Sequence, residues 1–201
     1  LIVNKSSAND ISAYVKKNAS ENANIYIIGG EDVVSKQIAD MMPGKKHRLE
    51  GDTRFETNLE VLKASGVHGE DIALCNAYNF ADALSASAAG KPIMLVGSKL
   101  SDEQIAYLKT HNGKKFYLIG GSDVVSKNVE NAVSKLGDIE RLEGSDRFAT
   151  SRVVAEKFFA GEHKKVYLTY GLNFPDGLCA GVLCAIDNSP LLLVSNSNLS
   201  E

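Results

Sequence analysis

The sequence lacks several features that mark common functional classes. Its 201 residues carry a net charge of −3, so no overall positive field is available to hold nucleic acid. No apolar run approaches the roughly 20 residues needed to cross a bilayer. The first residue, Leu1, does not begin a signal peptide, which agrees with an exported parent whose signal lies outside this sequence. A P-loop and a complete G-x-G-x-x-G fingerprint are also absent.

Cysteine is scarce, with three residues in the chain. Cys179 and Cys184 lie on one predicted helix at a rise of about 7.5 Å, which exceeds the Cα separation that a disulfide spans. Cys75 lies in a predicted strand. Cysteine-rich metal spacing is absent, and all four histidines fall in polar segments. We therefore expect three buried apolar thiols, and neither a cysteine nucleophile nor a metal site.

The most informative feature of the sequence is an internal duplication. Four segments of the first half return in the same order about 90 residues later. The first pair is I-Y-I-I-G-G-E-D-V-V-S, residues 25–35, and F-Y-L-I-G-G-S-D-V-V-S, residues 116–126. The other pairs are the R-L-E-G blocks from Arg48 and Arg141, the N-F-x-D segments from Asn79 and Asn173, and the P-[IL]-x-L-V segments from Pro92 and Pro190. A unit of this length is a small domain, so the duplication predicts multivalent binding.

Each predicted unit alternates strands with helices. Nearly continuous apolar strands predict an α/β fold of tandem open parallel sheets, covered on both faces. We expect residues 1–22 to be the end of a truncated preceding repeat with its helix. Residues 23–113 form the first repeat, and residues 114–201 form the second repeat and run into the start of a next unit. Two predicted helices have almost no bulky polar face and should be buried where units meet, Ala83–Gly90 and Gly177–Cys184.

Two Gly-Gly turns, Gly29-Gly30 and Gly120-Gly121, lie between a predicted strand and a predicted helix. Backbone amides at such a turn can bind an anion, which would suit an enzyme acting on a nucleotide or sugar phosphate. The alternative is a tight turn that needs positive φ. Such an enzyme would need one asymmetric site, and the candidates without a counterpart in the other repeat are His68, His111, His163 and Cys75. A helix with Asp123 as its N-cap is predicted after the second turn.

The R-L-E-G blocks each carry two arginines, which are Arg48 with Arg54 and Arg141 with Arg147. A guanidinium group matches carboxylate or phosphate with two parallel hydrogen bonds. Two interpretations remain open. In the first, the pairs are internal and lock loops within a unit or between units, with Arg54 bound to Asp82 or Arg147 bound to Asp176. In the second, at least one arginine of each block binds an anion at the surface.

The N-F-x-D segments follow a predicted strand and begin a helix. Asn79 and Asn173 are suited to capping that helix, and Asp82 and Asp176 complement its dipole in the first turn. The phenylalanine can pack the turn onto the core. This structural role accounts for every residue of the motif.

Taken together, the four motifs resemble the cell wall binding repeat 2 modules of Gram-positive surface proteins. The resemblance implies tandem units, usually three, that hold a secreted protein non-covalently at the cell wall. It implies an anionic secondary wall polysaccharide as partner, no cofactor, and no catalysis by the repeats. It also implies a Toprim-like fold with units around a pseudo-threefold axis. Since two complete repeats are present, a third repeat or self-association is expected. Neither nucleic acid nor membrane insertion is expected.

Within that family, we expect each unit to offer one shallow site for the polymer. We assign primary contacts to Arg54 and Arg147 and supporting contacts to Arg48 and Arg141. The strands after Pro92 and Pro190 would define the shape of the site, with Leu95 and Leu193 as further contacts. No repeated set of a glutamate with Asp-x-Asp is present to hold magnesium, so Toprim chemistry is not expected. A protein-interaction module, such as an adhesin, is a further alternative.

Overall fold

The structure is a computed structural model that describes residues 4–196. Its helices are α1 (Ala8–Asn18), α2 (Lys36–Asp40), α3 (Arg54–Ser65), α4 (Phe80–Ser87), α5 (Asp102–Leu108), α6 (Lys127–Val133), α7 (Arg147–Phe158) and α8 (Pro175–Asp187). Its strands are β1 (Asn24–Ile28), β2 (Lys45–Leu49), β3 (Ile72–Asn76), β4 (Ile93–Val96), β5 (Lys115–Ile119), β6 (Asp138–Leu142), β7 (Tyr167–Tyr170) and β8 (Leu191–Val194). The chain divides into two compact units, Leu1–Gly66 and Val67–Glu201.

The first unit is built on the parallel strand pair β1–β2, which runs from Asn24↔Lys45 to Ile28↔Leu49. Helix α3 begins at a capping box in which Thr53 accepts from the backbone N–H of Glu56 and Glu56 accepts from that of Thr53. It ends at Gly66 in the left-handed conformation, at φ +68°. The side chains of Leu59 and Leu62 on this helix are buried. Capping and burial together fix both ends of α3 and its inner face.

The second unit contains a four-stranded parallel sheet in the order β4-β3-β5-β6. One face carries Cys75, Tyr117 and Ile119, packed with Ala86 of α4 and Val154 of α7. On the other face, successive alternate residues of β3 and β5 are fully buried, namely Ile72, Leu74, Phe116 and Leu118. Helices α5 and α6 contact each other and bury Leu108, Val129 and Val133. Burial on both faces explains the continuous apolar strands.

Strands β7 and β8 form a separate parallel pair within the second unit. Helix α7 contacts β8, where the Ser151 hydroxyl accepts from the Leu193 N–H at 2.9 Å. Helix α8 packs on α4 through glycine, because a Cβ added at Gly181 would lie 2.0 Å from Ser87 Oγ. Small residues thus bring the two apolar helices close together. The predicted burial holds for α4, where Leu84 and Ala86 are buried, and is wrong for α8, where Val182 and Ile186 are exposed because no described element covers that side of the helix.

The predicted α/β fold with parallel sheets is confirmed. The four-stranded sheet crosses the repeat boundary predicted at residues 113 and 114, since β3 and β4 precede it and β5 and β6 follow it. Residues 1–3, at the start of the predicted truncated repeat, and residues 197–201 lie outside the described part of the chain. The repeat boundaries themselves remain a prediction.

Three local predictions were wrong. Helix α6 is capped by Ser126 and not by Asp123, because the amides of Val124 and Val125 first close a turn on the carbonyl of Gly121. His111 does not lie in a polar loop, since it is fully buried in a short 3-10 turn, with Nδ1 2.6 Å from the Glu70 carbonyl oxygen. Cys179 is exposed, while Cys75 and Cys184 are buried as expected.

Candidate functional site

The first arginine of each R-L-E-G block holds the Gly-Gly turn from inside. Arg48 donates to the Gly29 carbonyl at 2.7 Å, and Arg141 donates to the Gly120 carbonyl at the same distance. Arg141 also binds the Val125 carbonyl and Glu130, and its side chain is 14% exposed. These hydrogen bonds give the two arginines a structural role. Their predicted contact with a polymer remains a prediction.

The Gly-Gly turns are tight turns with acidic neighbours. Gly29 and Gly120 have φ of +103° and +100°, a region that side-chain-bearing residues rarely adopt. A Cβ at Gly121 would lie 3.2 Å from Glu143 Oε2, and one at Gly120 would lie 2.8 Å from Asp82 Oδ2. At Gly30, the corresponding neighbour is Glu50 Oε2 at 3.2 Å. Carboxylates at these distances oppose the binding of a second anion.

The rest of each block forms the start of the next helix. Asp146 is the N-cap of α7 and accepts from the Ala149 N–H at 2.8 Å. The Thr150 hydroxyl accepts from the Gly144 N–H at 3.0 Å, and Thr57 does the same for Gly51 at 3.1 Å. The glycine and threonine of the motif therefore fix the turn that presents the second arginine.

The second arginine of the second block lies where three carboxyl ends of strands meet. Arg147 donates to the carbonyl of Gly171, directly after β7, at 2.9 Å. Its guanidinium carbon lies 5.6 Å from the centre of the Phe80 ring, a cation–π contact. The Arg147 guanidinium also attracts the carboxylate of Asp82, whose Oδ2 lies at the Gly120 turn after β5. Phe80 in turn contacts Phe174, with ring centres 5.8 Å apart.

Asp82 is the most unusual charged group of this site. It is 4% exposed, and this burial raises the pKa of its carboxyl to about 6, although the nearby Arg147 guanidinium opposes the rise. Burial disfavours the charged form because a carboxylate loses its water. The sequence suggested that Arg54 pairs with Asp82 or Arg147 with Asp176. In the structure, the charged group that acts on Asp82 is Arg147, from the other repeat.

The two N-F-x-D segments differ in detail. Asn79 is the N-cap of α4 and accepts from the Ala81 N–H. Asn173 instead accepts from the N–H of Phe174, which occupies the cap position of α8. Asp176 is exposed. The capping role predicted from the sequence therefore holds for Asn79 and is wrong for Asn173.

The Pro-led strands are mainly structural elements in the fold. The carbonyls of Pro92 and Pro190 accept from Ala73 and Tyr167, which begin the pairing with the neighbouring strand. The Leu95 carbonyl accepts from Gln104 Nε2 at 2.9 Å. In β8, the Leu193 side chain is buried. Contact of these four residues with a polymer remains a prediction.

Sequence reasoning missed two aromatic residues near the predicted polymer site. Phe80 was assigned only a packing role, but its ring also contacts Arg147. Tyr78, directly before the N-F-x-D segment, is an exposed aromatic residue at the carboxyl end of β3. The signal available in the sequence was an aromatic pair, Tyr78 and Phe80, around the capping asparagine.

No group of three or more His, Cys, Asp or Glu side chains among residues 4–196 could hold a metal ion. Within the same residues, every helix is too short or too polar to cross a membrane.

The chain matches the cell wall binding domain 2 (CWB2) family over residues 48–130 and 141–201. It is 29% identical over 184 residues to the amidase enhancer of Bacillus subtilis (strain 168), which covers 88% of this chain and 25% of that protein. It is 26% identical over 160 residues to the N-acetylmuramoyl-L-alanine amidase LytC of the same organism, which covers 77% of this chain and 32% of the relative. The chain thus spans a third or less of the length of these relatives.

Two solved structures share the fold. Cwp8 from Clostridium difficile has a TM-score of 0.79 and 31% identity, and the match covers 90% of this chain and 32% of Cwp8. Cwp6 from Clostridium difficile has a TM-score of 0.82 and 23% identity, and the match covers 98% of this chain and 33% of Cwp6. Each of the two family matches begins at the first arginine of an R-L-E-G block, Arg48 or Arg141. Because the family model matches residues 48–130 and 141–201, the chain belongs to the cell wall binding domain 2 family. It has a cell wall binding role, at the cell wall or cell surface.

Proposed function

We propose that this chain is a non-catalytic anchoring module that binds an anionic secondary wall polysaccharide through repeated weak sites. The observation that carries the proposal is the family match combined with an arginine at the same position of both repeats, Arg54 and Arg147. A wall polymer that repeats its charged group can engage both repeats at once. The duplication then raises the overall affinity for the polymer, because two weak sites bind the same molecule.

The position of Arg147 supports a ligand at the carboxyl ends of the strands. In open α/β sheets, ligands bind in the crevice outside these ends. The guanidinium is half-buried and oriented by the Gly171 carbonyl and the Phe80 ring, so little conformational entropy is lost when it binds an anion. The exposed ring of Tyr78 offers a flat apolar surface for a sugar near the same edge.

Weak individual sites are sufficient for anchoring. When two sites bind the same polymer, effective concentration raises the overall affinity by roughly 10²–10⁴-fold without a new contact. Exposed charges are screened within about 8–10 Å at moderate salt. Binding by arginines should therefore weaken as the salt concentration rises. In this proposal, Arg48 and Arg141 support the site by holding the Gly-Gly turns, and the strands after Pro92 and Pro190 shape it, with Leu95 and Leu193 as contacts.

An enzyme that binds a phosphate at the Gly-Gly turns is the alternative, and the geometry favours it less. The carboxylates of Glu143 and Glu50 lie beside the second glycines, where a phosphate would need to sit. Burial raises the pKa of the Cys75 thiol well above its usual value, and the Asp82 carboxylate adds to this, so Cys75 is a poor nucleophile. His111 is fully buried in the second unit.

The proposal includes a partner for the repeats themselves. Either a third repeat or another copy of this chain packs against the two present here. The unusually apolar surface of α8 supports this part, since Leu178, Val182 and Ile186 are exposed on one side of that helix.

Retention on purified cell wall tests the polymer site. The test variant combines Arg54→Ala and Arg147→Ala with Asp82→Asn, so that no buried carboxylate loses its partner. Loss of two charge-assisted contacts should weaken binding by about 10- to 100-fold or more. Arg152→Ala is the matched control, because Arg152 is exposed and pairs only with Glu156 among the contacts described for it.

Three results would discriminate the proposals. Unchanged retention of the folded test variant would remove the arginines from the site. Retention that persists after the wall polysaccharide is stripped would favour a protein partner. Binding of a nucleotide or sugar phosphate at the Gly-Gly turns, with no binding to wall polymer, would favour the enzyme.

A further inference from the structure

Asp82 is a buried carboxyl group that receives no hydrogen bond from the described residues 4–196. It is 4% exposed, and its pKa responds to burial and to the charge of Arg147, with no hydrogen-bond donor contributing. Its Oδ2 lies at the turn after β5, where a Cβ added at Gly120 would be 2.8 Å away. Buried polar groups nearly always have a hydrogen-bond partner. A carboxyl group without one, at the carboxyl end of a strand, indicates a partner that comes from a ligand.

Arg147 is held beside Asp82 with most of its hydrogen-bonding capacity unused. One of its N–H groups, at Nη1, donates to the Gly171 carbonyl at 2.9 Å. A guanidinium group has five N–H donors, and no other group among residues 4–196 accepts a hydrogen bond from this one. The Phe80 ring, 5.6 Å from the guanidinium carbon, covers one side of it. The half-buried guanidinium is therefore oriented and still has N–H groups for an anion.

The titratable groups that face α4 from within the core are uncharged. Helix α4 packs against α7, α8, β3, β4, β5 and β8, of which β4 and β8 carry no titratable residue. On β3, burial and the Asp82 carboxylate raise the pKa of the Cys75 thiol well above its usual value. Tyr117 of β5 and Cys184 of α8 are a phenol and a thiol, groups that carry no charge at mildly acidic pH.

The charged groups around Asp82 leave Arg147 as its electrostatic partner. The carboxylates of Asp176 on α8 and of Glu143 beside the Gly-Gly turn are exposed, so water and salt screen them. Among the described residues, Arg147 is the charged group that shifts the pKa of Asp82. It opposes the effect of burial without cancelling it, and the pKa is raised from 3.8 to about 6. A proton that binds or leaves this site near pH 6 is therefore the proton of Asp82.

We propose that Asp82 and Arg147 together bind an oxyanion of the wall polymer, a phosphate or a carboxylate, with Asp82 in its protonated form. The proposal rests on the proposed function, because it assigns the chemistry of the same site. The O–H of Asp82 donates to the anion, and the Arg147 guanidinium keeps its full positive charge. An ionised Asp82 would offset that charge and repel the anion. Binding at this site is therefore accompanied by the uptake of a proton, and it is tighter at acidic pH.

The size of the effect follows from the fraction of the free chain in which Asp82 is protonated. With a pKa of about 6, this fraction is roughly nine-tenths at pH 5 and about 3% at pH 7.5. An affinity that requires the protonated form falls in proportion to this fraction. The contribution of this site is therefore fully present below pH 6. It should fall by up to about 30-fold as the pH rises to 7.5.

Retention on purified cell wall as a function of pH tests the proposal, with Asp82→Asn as the comparison. The asparagine is neutral at every pH and offers an N–H donor in place of the O–H. Comparing the two proteins on the same wall sample at each pH cancels any titration of the wall itself. They should bind equally at about pH 5, and the variant should bind about 10- to 30-fold more tightly at about pH 7.5. Asp102→Asn removes an exposed carboxylate at the start of α5 and should follow wild type.

The wild-type chain offers a second measurement that needs no variant. The ¹³C resonance of the Asp82 carboxyl group reports its protonation directly. Addition of soluble fragments of the wall polymer should raise the pKa of Asp82 further above about 6, because a bound anion disfavours a second negative charge beside it.

The possible failures are distinguishable from failure of the proposed function. Identical pH profiles for wild type and folded Asp82→Asn, with retention still dependent on Arg147, would overturn the uptake of a proton and leave the anchoring function intact. Tighter binding by wild type at pH 7.5, or a pKa of Asp82 that stays unchanged or falls on binding, would also overturn it. Retention that is independent of Arg54 and Arg147 at every pH would remove the proposed site itself.

Discussion

The two N-F-x-D segments of the second unit have similar sequences and opposite surroundings. At the first, Asp82 is buried beside Arg147, and Leu74 on the preceding strand has no exposed surface. At the second, Asp176 and Leu168 are both exposed. The difference follows from the neighbours, because within residues 4–196 β3 lies between two strands and β7 pairs with one. Burial in this protein is set by which strand pair lies alongside, and the motif alone does not determine it.

The largest expected difference in stability is between two single truncations, one at Leu74 and one at Leu168. Leu74→Ala should lower the free energy of unfolding by about 2–5 kcal/mol, because it removes fully buried methyl groups and leaves a cavity. Leu168→Ala should change it by less than about 0.5 kcal/mol in the single-copy state. Urea unfolding at low protein concentration measures both. Equal losses would show that β7 is already covered in the single chain.

Helix α8 offers a second comparison between its two sides. Gly181→Leu should destabilise the chain by about 1–3 kcal/mol, since the side chain would collide with Ser87 of α4. The gain in helix propensity is about 0.8 kcal/mol and does not offset that collision. Val182→Leu, on the exposed side, is the control and should be nearly neutral. Thermal unfolding compares the two, and a neutral Gly181→Leu would contradict the close packing of α8 on α4.

Asp82 makes stability depend on pH. Its pKa rises from 3.8 to about 6 on folding, so between these values the folded chain holds a proton that the unfolded chain has lost. Stability should therefore fall as pH rises through this window. Asp82→Asn should remove this fall and raise the free energy of unfolding at pH 7 by about 3 kcal/mol. Below pH 4, wild type and variant should converge. A variant that is less stable at pH 7 would show that the carboxylate is stabilised by Arg147 more than it is penalised by burial.

The smallest expected effect concerns the two asparagines. Asn79→Ala should cost about 1 kcal/mol, because the side chain caps α4. Asn173→Ala should cost less, since Asn173 does not occupy the cap position of α8. Denaturant unfolding resolves a difference of this size when the free energy of unfolding falls with denaturant concentration at the same slope in both variants. A larger loss for Asn173 would contradict the different capping at the two helices.

Much of the fold could be predicted from the sequence. The apolar runs of β3 and β5, the glycine turns and the capping box at Ser101 and Gln104 are local signals. The pairing of β3 with β5 across the predicted repeat boundary is not a local signal. The apolar pattern of each strand would fit beside any apolar strand, so it does not identify the partner. For this reason the sequence could assign Cys75 to the core but misjudged Cys179, whose burial depends on what covers α8.

The candidate site was predictable in its residues and less so in its partners. The repeated arginines were identified from their spacing. Their roles separate only in the structure, where Arg141 binds the Gly120 carbonyl and Arg147 acts on Asp82. The sequence left open whether such pairs form within a unit or between units, and both pairs that it named join residues of one predicted repeat. In the structure, Arg147 acts on Asp82 from the other predicted repeat. Long-range pairing of this kind depends on sheet order, which a motif does not encode.

The affinity of the chain for intact wall polymer, compared with a single repeating unit of that polymer, tests the central claim of repeated weak sites most directly. If both repeats engage one polymer molecule, the polymer should bind roughly 10²–10⁴-fold more tightly than the single unit, and the gain should shrink as salt rises. Equal affinity for the polymer and its single unit, at every salt concentration, would contradict the account.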